Sequence, residues 1–253
     1  MTNKFPYQAV HYSPAGFILL KSQPTGNLVC ESYKSASLPT LQRECGVFFD
    51  TPAESTLVTV NFTPPLLVPK AIYQPPAAQY LRLQSEIADN DEIFQDDLGE
   101  YVALYAIPLA KTLPIKTMLP APTFQHTATR LYHYLAQYST EQPNKLLLHI
   151  SGNKMGFILI KNDKLFIINE LPFTCPEDVL YHTLNILLQQ EARREESAIL
   201  LSGASGDVQK CGKLLARYLK HVKMAGAELT HSVINLKSQP TELHTCLQLI
   251  EIQ

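Results

Sequence analysis

What this sequence lacks excludes several common classes of protein. No stretch approaches eighteen uncharged apolar residues, so we expect no transmembrane helix and no membrane insertion. The net charge is only −2, which gives no electrostatic basis for binding nucleic acid or an anionic membrane. The first residues, MTNKFPYQAVHYSP, lack the apolar core of a signal peptide. With 45% hydrophobic and 17% charged residues, the chain is expected to fold as a globular protein.

Cysteines are few and scattered. Their number is odd and no CxxC pair occurs, which argues against a disulfide framework and against a zinc site. We therefore expect reduced thiols in a cytoplasmic protein, buried as small apolar side chains, with a reactive thiol as the alternative. The positions are Cys30, Cys45, Cys175, Cys211 and Cys246.

The common catalytic fingerprints are also missing. There is no GxGxxG, no HExxH and no GxSxG in the sequence. The segment from Gly206 to Lys213 approaches a P-loop, but it has one residue too many between the glycines, and Leu214 stands where Mg²⁺ needs a hydroxyl. His126 and His133, two helical turns apart, are interpreted as ordinary histidines. We expect no metal site and no catalytic residue.

Residues 145–173 show the clearest secondary-structure pattern, KLLLHISGNKMGFILIKNDKLFIINELPF. Apolar runs at 146–150, 157–160 and 165–168 predict three strands, and turn residues separate them. Strands joined by such short turns are expected to pair as a meander. Thr174 to Glu177 matches a capping box that opens a helix. A buried strand at 198–201 and a helix opening near Asp207 follow.

One face of this last helix is basic. Lys210, Lys213, Arg217 and Lys220 share it at spacings i, i+3, i+7 and i+10. The stripe could meet a phosphate backbone or an acidic partner. We favour a plain solvated face, and we disfavour nucleic acid, because the chain is slightly acidic and exposed aromatic residues do not interleave with the basic ones.

The first half has a looser pattern. A hairpin is predicted over 16–33, with its turn at Pro24 to Gly26, and strands over 57–62 and 101–107. Residues 38–49, 109–118 and 123–138 read as helices. Seven acids lie between Glu86 and Glu100, and we interpret them as a solvated surface segment rather than a cation site. The polar segment 140–144 is the candidate boundary between halves.

The element order after residue 145 resembles the repeating half of the actin-like ATPase fold, found in actin, the Hsp70 ATPase domain, sugar kinases and pilus and secretion assembly proteins. The resemblance implies an α/β protein of two ribonuclease H-like halves, 1–142 and 143–253, facing each other across a cleft. The first half would be divergent, with an insertion around 64–100. The segments LLVPKAIYQ, KLFIINELPF with PEDVLYHTLNILLQQ, and ILLSGASGD resemble a family of uncharacterised bacterial proteins with this predicted fold.

The superfamily's chemistry uses an Asp-x-Gly turn in each half. Its backbone N–H groups hold phosphate, and its aspartate acts through Mg²⁺ and water. In LLLHISGN, His149 stands at the aspartate position and Ser151 at the first glycine position, whereas Gly152 is retained. A neutral imidazole cannot supply the anion that Mg²⁺-nucleotide requires. In the first half we expect the equivalent turn after GFILL, where KSQPTG offers no acid either.

A strand-to-helix turn of small residues, Ser202 to Gly206, sits where the superfamily binds adenosine. Gly203, Ser205 and Gly206 are therefore possible nucleotide contacts, although small residues there also serve to pack a strand against a helix.

These observations favour a non-catalytic actin-like protein that binds a protein partner as an interaction or assembly scaffold. No cofactor is expected. The alternative is a nucleotide-binding protein that uses ATP and Mg²⁺ in the cleft, either as a sensor through the Gly203 to Gly206 turn or as a weak ATPase or phosphotransferase. That alternative would need other acids, for which Asp163, Asp178 and Asp207 are the candidates. The sequence does not predict the fold of residues 225–253.

Overall fold

The computed structural model describes residues 8–13, 16–22, 28–34, 55–84, 87–119, 121–203, 207–227, 233–234 and 246–249. Within these ranges, fourteen strands and five α-helices form a mixed α/β structure with three sheets. The predicted helix over 38–49 and the predicted turn at Pro24 to Gly26 lie outside the described residues.

The first sheet has six strands in the order β14-β3-β2-β1-β4-β8. Strand β2 is antiparallel to both neighbours, whereas β1–β4, β4–β8 and β3–β14 are parallel. The paired β2 and β3 confirm the predicted hairpin strands. The strands are β1 (Gln8–Ser13), β2 (Gly16–Ser22), β3 (Leu28–Lys34), β4 (Thr56–Val60), β8 (Pro122–His126) and β14 (Val233–Ile234).

The second sheet has five strands in the order β11-β10-β9-β12-β13. The predicted meander is confirmed, since β10 pairs in antiparallel fashion with β9 and β11, and β12 lies parallel between β9 and β13. This order repeats that of β3-β2-β1-β4-β8, so each strand here has a counterpart in the first sheet. The strands are β9 (Asn144–Ser151), β10 (Lys154–Lys161), β11 (Lys164–Pro172), β12 (Ser197–Gly203) and β13 (His221–Met224).

A third sheet, in the order β5-β7-β6, is inserted between β4 and β8. It consists of β5 (Leu66–Pro69), β6 (Asp91–Leu98) and β7 (Tyr101–Pro108). The interpretation of the acids between Glu86 and Glu100 as a solvated segment is wrong for Asp96, which is buried. Most of that segment is strand β6, paired along its length with β7.

The five helices are α1 (Ala78–Gln84), α2 (Leu109–Met118), α3 (Thr127–Gln137), α4 (Pro176–Gln189) and α5 (Asp207–Leu215). The predicted helix over 123–138 is wrong in its first turn, because residues 122–126 pair with β4 as strand β8. The predicted capping box is shifted by one residue. Cys175 is the N-cap of α4, and the carboxylate of Asp178 accepts hydrogen bonds from Thr174 N (2.8 Å), Thr174 Oγ1 (2.6 Å) and Cys175 N (3.3 Å).

Helix α3 connects the two large sheets. Its Leu131 and Leu135 share a core with Leu147 of β9 and Ile158 of β10. A separate core lies on the other face of the second sheet, under α4 and α5. Burial on both faces explains why β9 and β12 are nearly continuous apolar runs.

The chain returns to the first sheet near its C-terminal end. Strand β14 pairs with β3, and Cys246 packs with Cys30 and Leu20. The division at residues 142 and 143 falls between α3 and β9 and stays a prediction. No helix in the described ranges is long and apolar enough to span a membrane.

Candidate functional site

His149 lies deep between the two large sheets. The parallel register of β9 and β12 places it opposite Ser202. Its Nδ1 atom is 2.9 Å from the Ser202 hydroxyl oxygen, and the side chain is buried. The resemblance assigns this position to a phosphate-loop aspartate. In this chain it holds an imidazole that is already hydrogen-bonded to Ser202.

His11 occupies the equivalent place in the first sheet. It stands opposite Thr59 in the parallel register of β1 and β4, with Nδ1 at 3.0 Å from Thr59 Oγ1 and 3.3 Å from Thr127 Oγ1. The Thr127 hydroxyl donates to the Val60 carbonyl at 3.1 Å, so its oxygen accepts from His11. Each half contributes one buried histidine bonded to a hydroxyl on the neighbouring parallel strand.

A repeat in the sequence marks this pair. His-x-Ser followed by Gly-Phe-Ile-Leu occurs from His11 to Leu19 and again from His149 to Leu159. The expectation that the first turn follows GFILL overlooked this repeat. That placement is wrong, since GFILL is β2 and the counterpart of β9 is the preceding strand β1.

A third histidine caps helix α3. Ala128 N donates to His126 Nδ1 at 3.0 Å, so the Nε2–H group donates to the Thr63 carbonyl at 2.8 Å. His126 is therefore neutral, and its two ring nitrogens are both used in hydrogen bonds within the chain. His133 lies in the same helix and is half-buried.

Burial keeps all three imidazoles neutral. It lowers the pKa of His149 to about 4 and that of His126 to about 4. Burial also lowers the pKa of His11 to about 3, with further contributions from His149 and then His126. A charged imidazole is poorly solvated in such surroundings. At neutral pH the centre between the sheets therefore carries no charge on its histidines.

Asp96 of β6 is the buried carboxylate next to this centre. Its Oδ2 atom accepts from His126 N and from Thr129 Oγ1, both at 2.7 Å, and Tyr105 donates to Oδ1 at 3.2 Å. Burial raises the pKa of Asp96, although these hydrogen bonds act in the opposite direction. Asp96 holds the start of α3 against the third sheet. Nothing in the sequence distinguishes it from the neighbouring acids.

A small cavity lies between the described residues of the two large sheets. The cavity is about 30 Å³, lined by the start of α3 and the segment from Asn61 to Pro65 on one side and by β9, β10 and β11 on the other. One water molecule needs about 10–15 Å³ on this measure. Ligand pockets usually enclose about 300–1,000 Å³. The carboxylate of Glu170 closes one side, bonded to Asn61 at 3.3 Å and to Lys154 at 2.6 Å.

The other predicted turn residues take up backbone roles. Ser151 is half-buried at the end of β9, and Gly152 has a φ of 59° in the turn that follows. Gly203 has a φ of 129°, and a Cβ atom there would lie 2.0 Å from the Ile150 carbonyl oxygen. Its lack of a side chain is required by close packing of β12 on β9. Ser205 and Gly206 lie outside the described residues.

The candidate acids are each engaged locally. Asp163 pairs with Lys145 at 3.0 Å, Asp178 caps α4, and Asp207 pairs with Lys210 at 2.9 Å. None of them lines the cavity between the sheets. Over the described ranges no cluster of three or more His, Cys, Asp or Glu residues could hold a metal ion.

The basic stripe does not form one helical face. Helix α5 ends at Leu215, so Arg217 and Lys220 lie beyond it and only Lys210 and Lys213 share its surface. The prediction of a four-residue stripe is wrong for this reason, although all four side chains are exposed.

Solved structures with the same architecture are actin-like. A Bacteroides thetaiotaomicron VPI-5482 protein with an actin-like ATPase fold and unknown function aligns with a TM-score of 0.75 at 15% identity, over 97% of this chain and 96% of that one. The PilM-PilN type IV pilus biogenesis complex aligns with a TM-score of 0.58 at 12% identity, over 90% of both chains. The ethanolamine utilization protein EutJ from Carboxydothermus hydrogenoformans aligns with a TM-score of 0.55 at 8% identity, over 96% of this chain and 88% of that one.

No curated protein matches the sequence significantly. The solved structures are too distant in sequence to indicate more than the fold, and they confirm the actin-like ATPase fold. Residues 50–222 match the family model described as "Protein of unknown function (DUF3822)". Because this match covers more than half of the sequence, the chain belongs to the DUF3822 family.

Proposed function

We propose that this protein is a non-catalytic actin-like protein that acts as an interaction or assembly scaffold for a protein partner. The observation that carries the proposal is the pair of buried histidines, His11 and His149. They occupy equivalent places in the two halves, where the resemblance to the actin-like superfamily expects the two phosphate-loop aspartates.

The chemistry of this centre does not suit a magnesium nucleotide. Mg²⁺ bound to phosphate is held through carboxylate and water oxygens, whereas neutral imidazoles bonded to Thr59 and Ser202 offer no anion. The carboxylate of Glu170 is already paired with Lys154. The 30 Å³ cavity is also far below the volume that a nucleotide would occupy.

A partner-binding role fits the surface and the structural relatives. Tyr181 and Leu188 lie two turns apart on α4 and are 65% and 78% exposed. Contiguous apolar patches often mark interaction surfaces, and these two side chains place such a patch on this face of α4 in the proposal. The PilM-PilN complex is an example of this fold in complex with another protein.

We also propose that the protein works in the cytoplasm. Cys30, Cys175, Cys211 and Cys246 form no disulfide bond with one another, and reduced cysteines are typical of that compartment.

The test is thermal unfolding with and without Mg-ATP, Mg-ADP and Mg-GTP. Ligand at about a hundred times its Kd stabilises the folded state by roughly 2.7 kcal/mol. For a chain of this length that raises Tm by several degrees, at about 2–4 °C per kcal/mol. We expect no shift with any of the three nucleotides. A shift that is lost in a variant blocking the cavity, Gly156→Leu, would refute the scaffold proposal in favour of nucleotide binding.

A further inference from the structure

A second and much larger concavity lies between α5 and β13. Its volume is about 590 Å³, within the range of ligand pockets. Gly212, Lys213 and Ala216 form one wall, and Val222, Lys223 and Met224 of β13 form the other. We call this concavity the α5–β13 groove. It lies on the second half, away from the buried histidines.

The floor of the α5–β13 groove is apolar and is made by small residues. Gly212 has no side chain, and a Cβ atom there would lie 3.8 Å from the sulfur of Met224. Ala216 contributes one methyl group. Val222 and Met224 extend the core of the second sheet to the groove. An apolar side chain entering the groove would therefore meet apolar atoms.

Strand β13 is the last strand of the second sheet within the described ranges. Its residues pair with β12, from Ala198 opposite His221 to Leu201 opposite Met224. Among the described strands, none pairs with its outer side. Such an edge presents backbone N–H and C=O groups to which an extended peptide can add as a further strand.

Two lysines give this edge a positive charge. Lys213 lies at the rim on the α5 side, and Lys223 follows Val222 in β13, so its side chain points to the opposite face of the strand. Both are exposed. Neither forms an ion pair with another residue in the part of the chain that the structure describes.

We propose that the α5–β13 groove binds an acidic, extended segment of a partner protein by strand addition to β13. The proposal rests on the scaffold function proposed above and names the chemistry of the partner. Apolar side chains of the segment enter the groove over Gly212 and Ala216. Acidic side chains on its other face lie beside Lys223, and Lys213 adds positive charge at the rim on the α5 side.

The probe is a fluorescein-labelled peptide of alternating valine and glutamate, about nine residues long and so longer than a typical strand. Fluorescence anisotropy should show saturable binding that weakens as NaCl screens the lysines. A matched peptide with N-methyl groups on its strand-pairing edge should not bind, because it cannot donate to β13. Absence of saturable binding, or equal binding of the N-methylated peptide, would overturn the proposal.

Three charge reversals locate the site. Exposed ion pairs contribute little singly, so Lys213→Glu and Lys223→Glu should each weaken binding about threefold, and the double variant about tenfold. Lys220→Glu makes the same charge change at an exposed lysine outside the groove and should alter Kd less than about twofold. Equal effects of Lys220→Glu and Lys223→Glu would show binding through net charge alone and would refute the assignment to this groove.

The two proposals fail in different ways. A rise in Tm with a magnesium nucleotide that is lost in Gly156→Leu refutes the scaffold function whatever the peptide does. If nucleotides have no effect and the peptide does not bind, the scaffold function stands and only the assignment of its partner to β13 falls.

Discussion

Acid should destabilise this protein because its central histidines are buried and neutral. The pKa values of His11, His126 and His149 are lowered in the folded state from their ordinary value of 6.5. The unfolded chain therefore binds protons that the folded chain does not. Their contribution to stability is present above pH 6.5 and is lost progressively as pH falls toward 4.

The size of the effect follows from the pKa values. At pH 5 a histidine titrating at 6.5 when unfolded and at about 4 when folded loses about 2 kcal/mol of folding free energy. The three residues together lose about 6 kcal/mol, a large share of the roughly 5–15 kcal/mol that stabilises most proteins. Asp96 opposes part of this loss. Its raised pKa lets the folded state bind a proton before the unfolded chain does.

The measurement is urea unfolding at pH 7, 6 and 5. Circular dichroism is the suitable signal because the chain has no tryptophan. His149→Asn retains a polar atom near the position of Nδ1, which bonds to Ser202, and it removes one titrating group. It should reduce the pH dependence by about one proton per molecule near pH 5.5. His182→Asn, on the surface of α4, serves as the control.

A free energy of unfolding that stays constant from pH 7 to pH 5 would refute the reasoning. So would a His149→Asn variant whose pH dependence equals that of the unchanged protein, because the proton uptake would then come from groups elsewhere.

Two further predictions concern single side chains in the same region. Gly203→Ala should lower the free energy of unfolding by about 3 kcal/mol or more, because its Cβ atom would overlap the Ile150 carbonyl at a positive φ. The control is Gly156→Ala, where the nearest atom to the new Cβ is 3.8 Å away, and it should cost less than about 1 kcal/mol. Equal losses of free energy for the two variants in urea unfolding would contradict this account. Asp96→Ala should cost about 3 kcal/mol by leaving the Thr129 hydroxyl and a backbone N–H buried without their acceptor, whereas unchanged unfolding would show that water replaces the carboxylate.

The second half could be predicted well because its signals are local. Continuous apolar runs separated by turn residues identified β9, β10 and β11, and the proline and acids after Phe173 identified α4. The first half could be predicted less well. Strand β8 and helix α3 form one amphipathic run, and only pairing with β4 makes residues 122–126 a strand.

The residues of the candidate site were likewise predictable only in part. His149 stood out from the sequence because it follows a clear strand and replaces an expected acid. His11 did not, since the strand that contains it carries no strong apolar pattern. Its equivalence to His149 becomes plain once the two sheets show the same strand order. Asp96 could not be singled out, because its burial depends on α3 and the third sheet closing over it.

The sequence by itself determined the α/β class, the repeating half and the absence of the expected acids, since these depend on periodicity and residue type along short segments. The tertiary structure decided that two histidines from distant strands meet hydroxyl partners across parallel registers and leave almost no cavity between them. It also decided where α5 ends and placed β13 beside a groove. These features depend on contacts between residues far apart in the chain, and local pattern carries no information about such contacts.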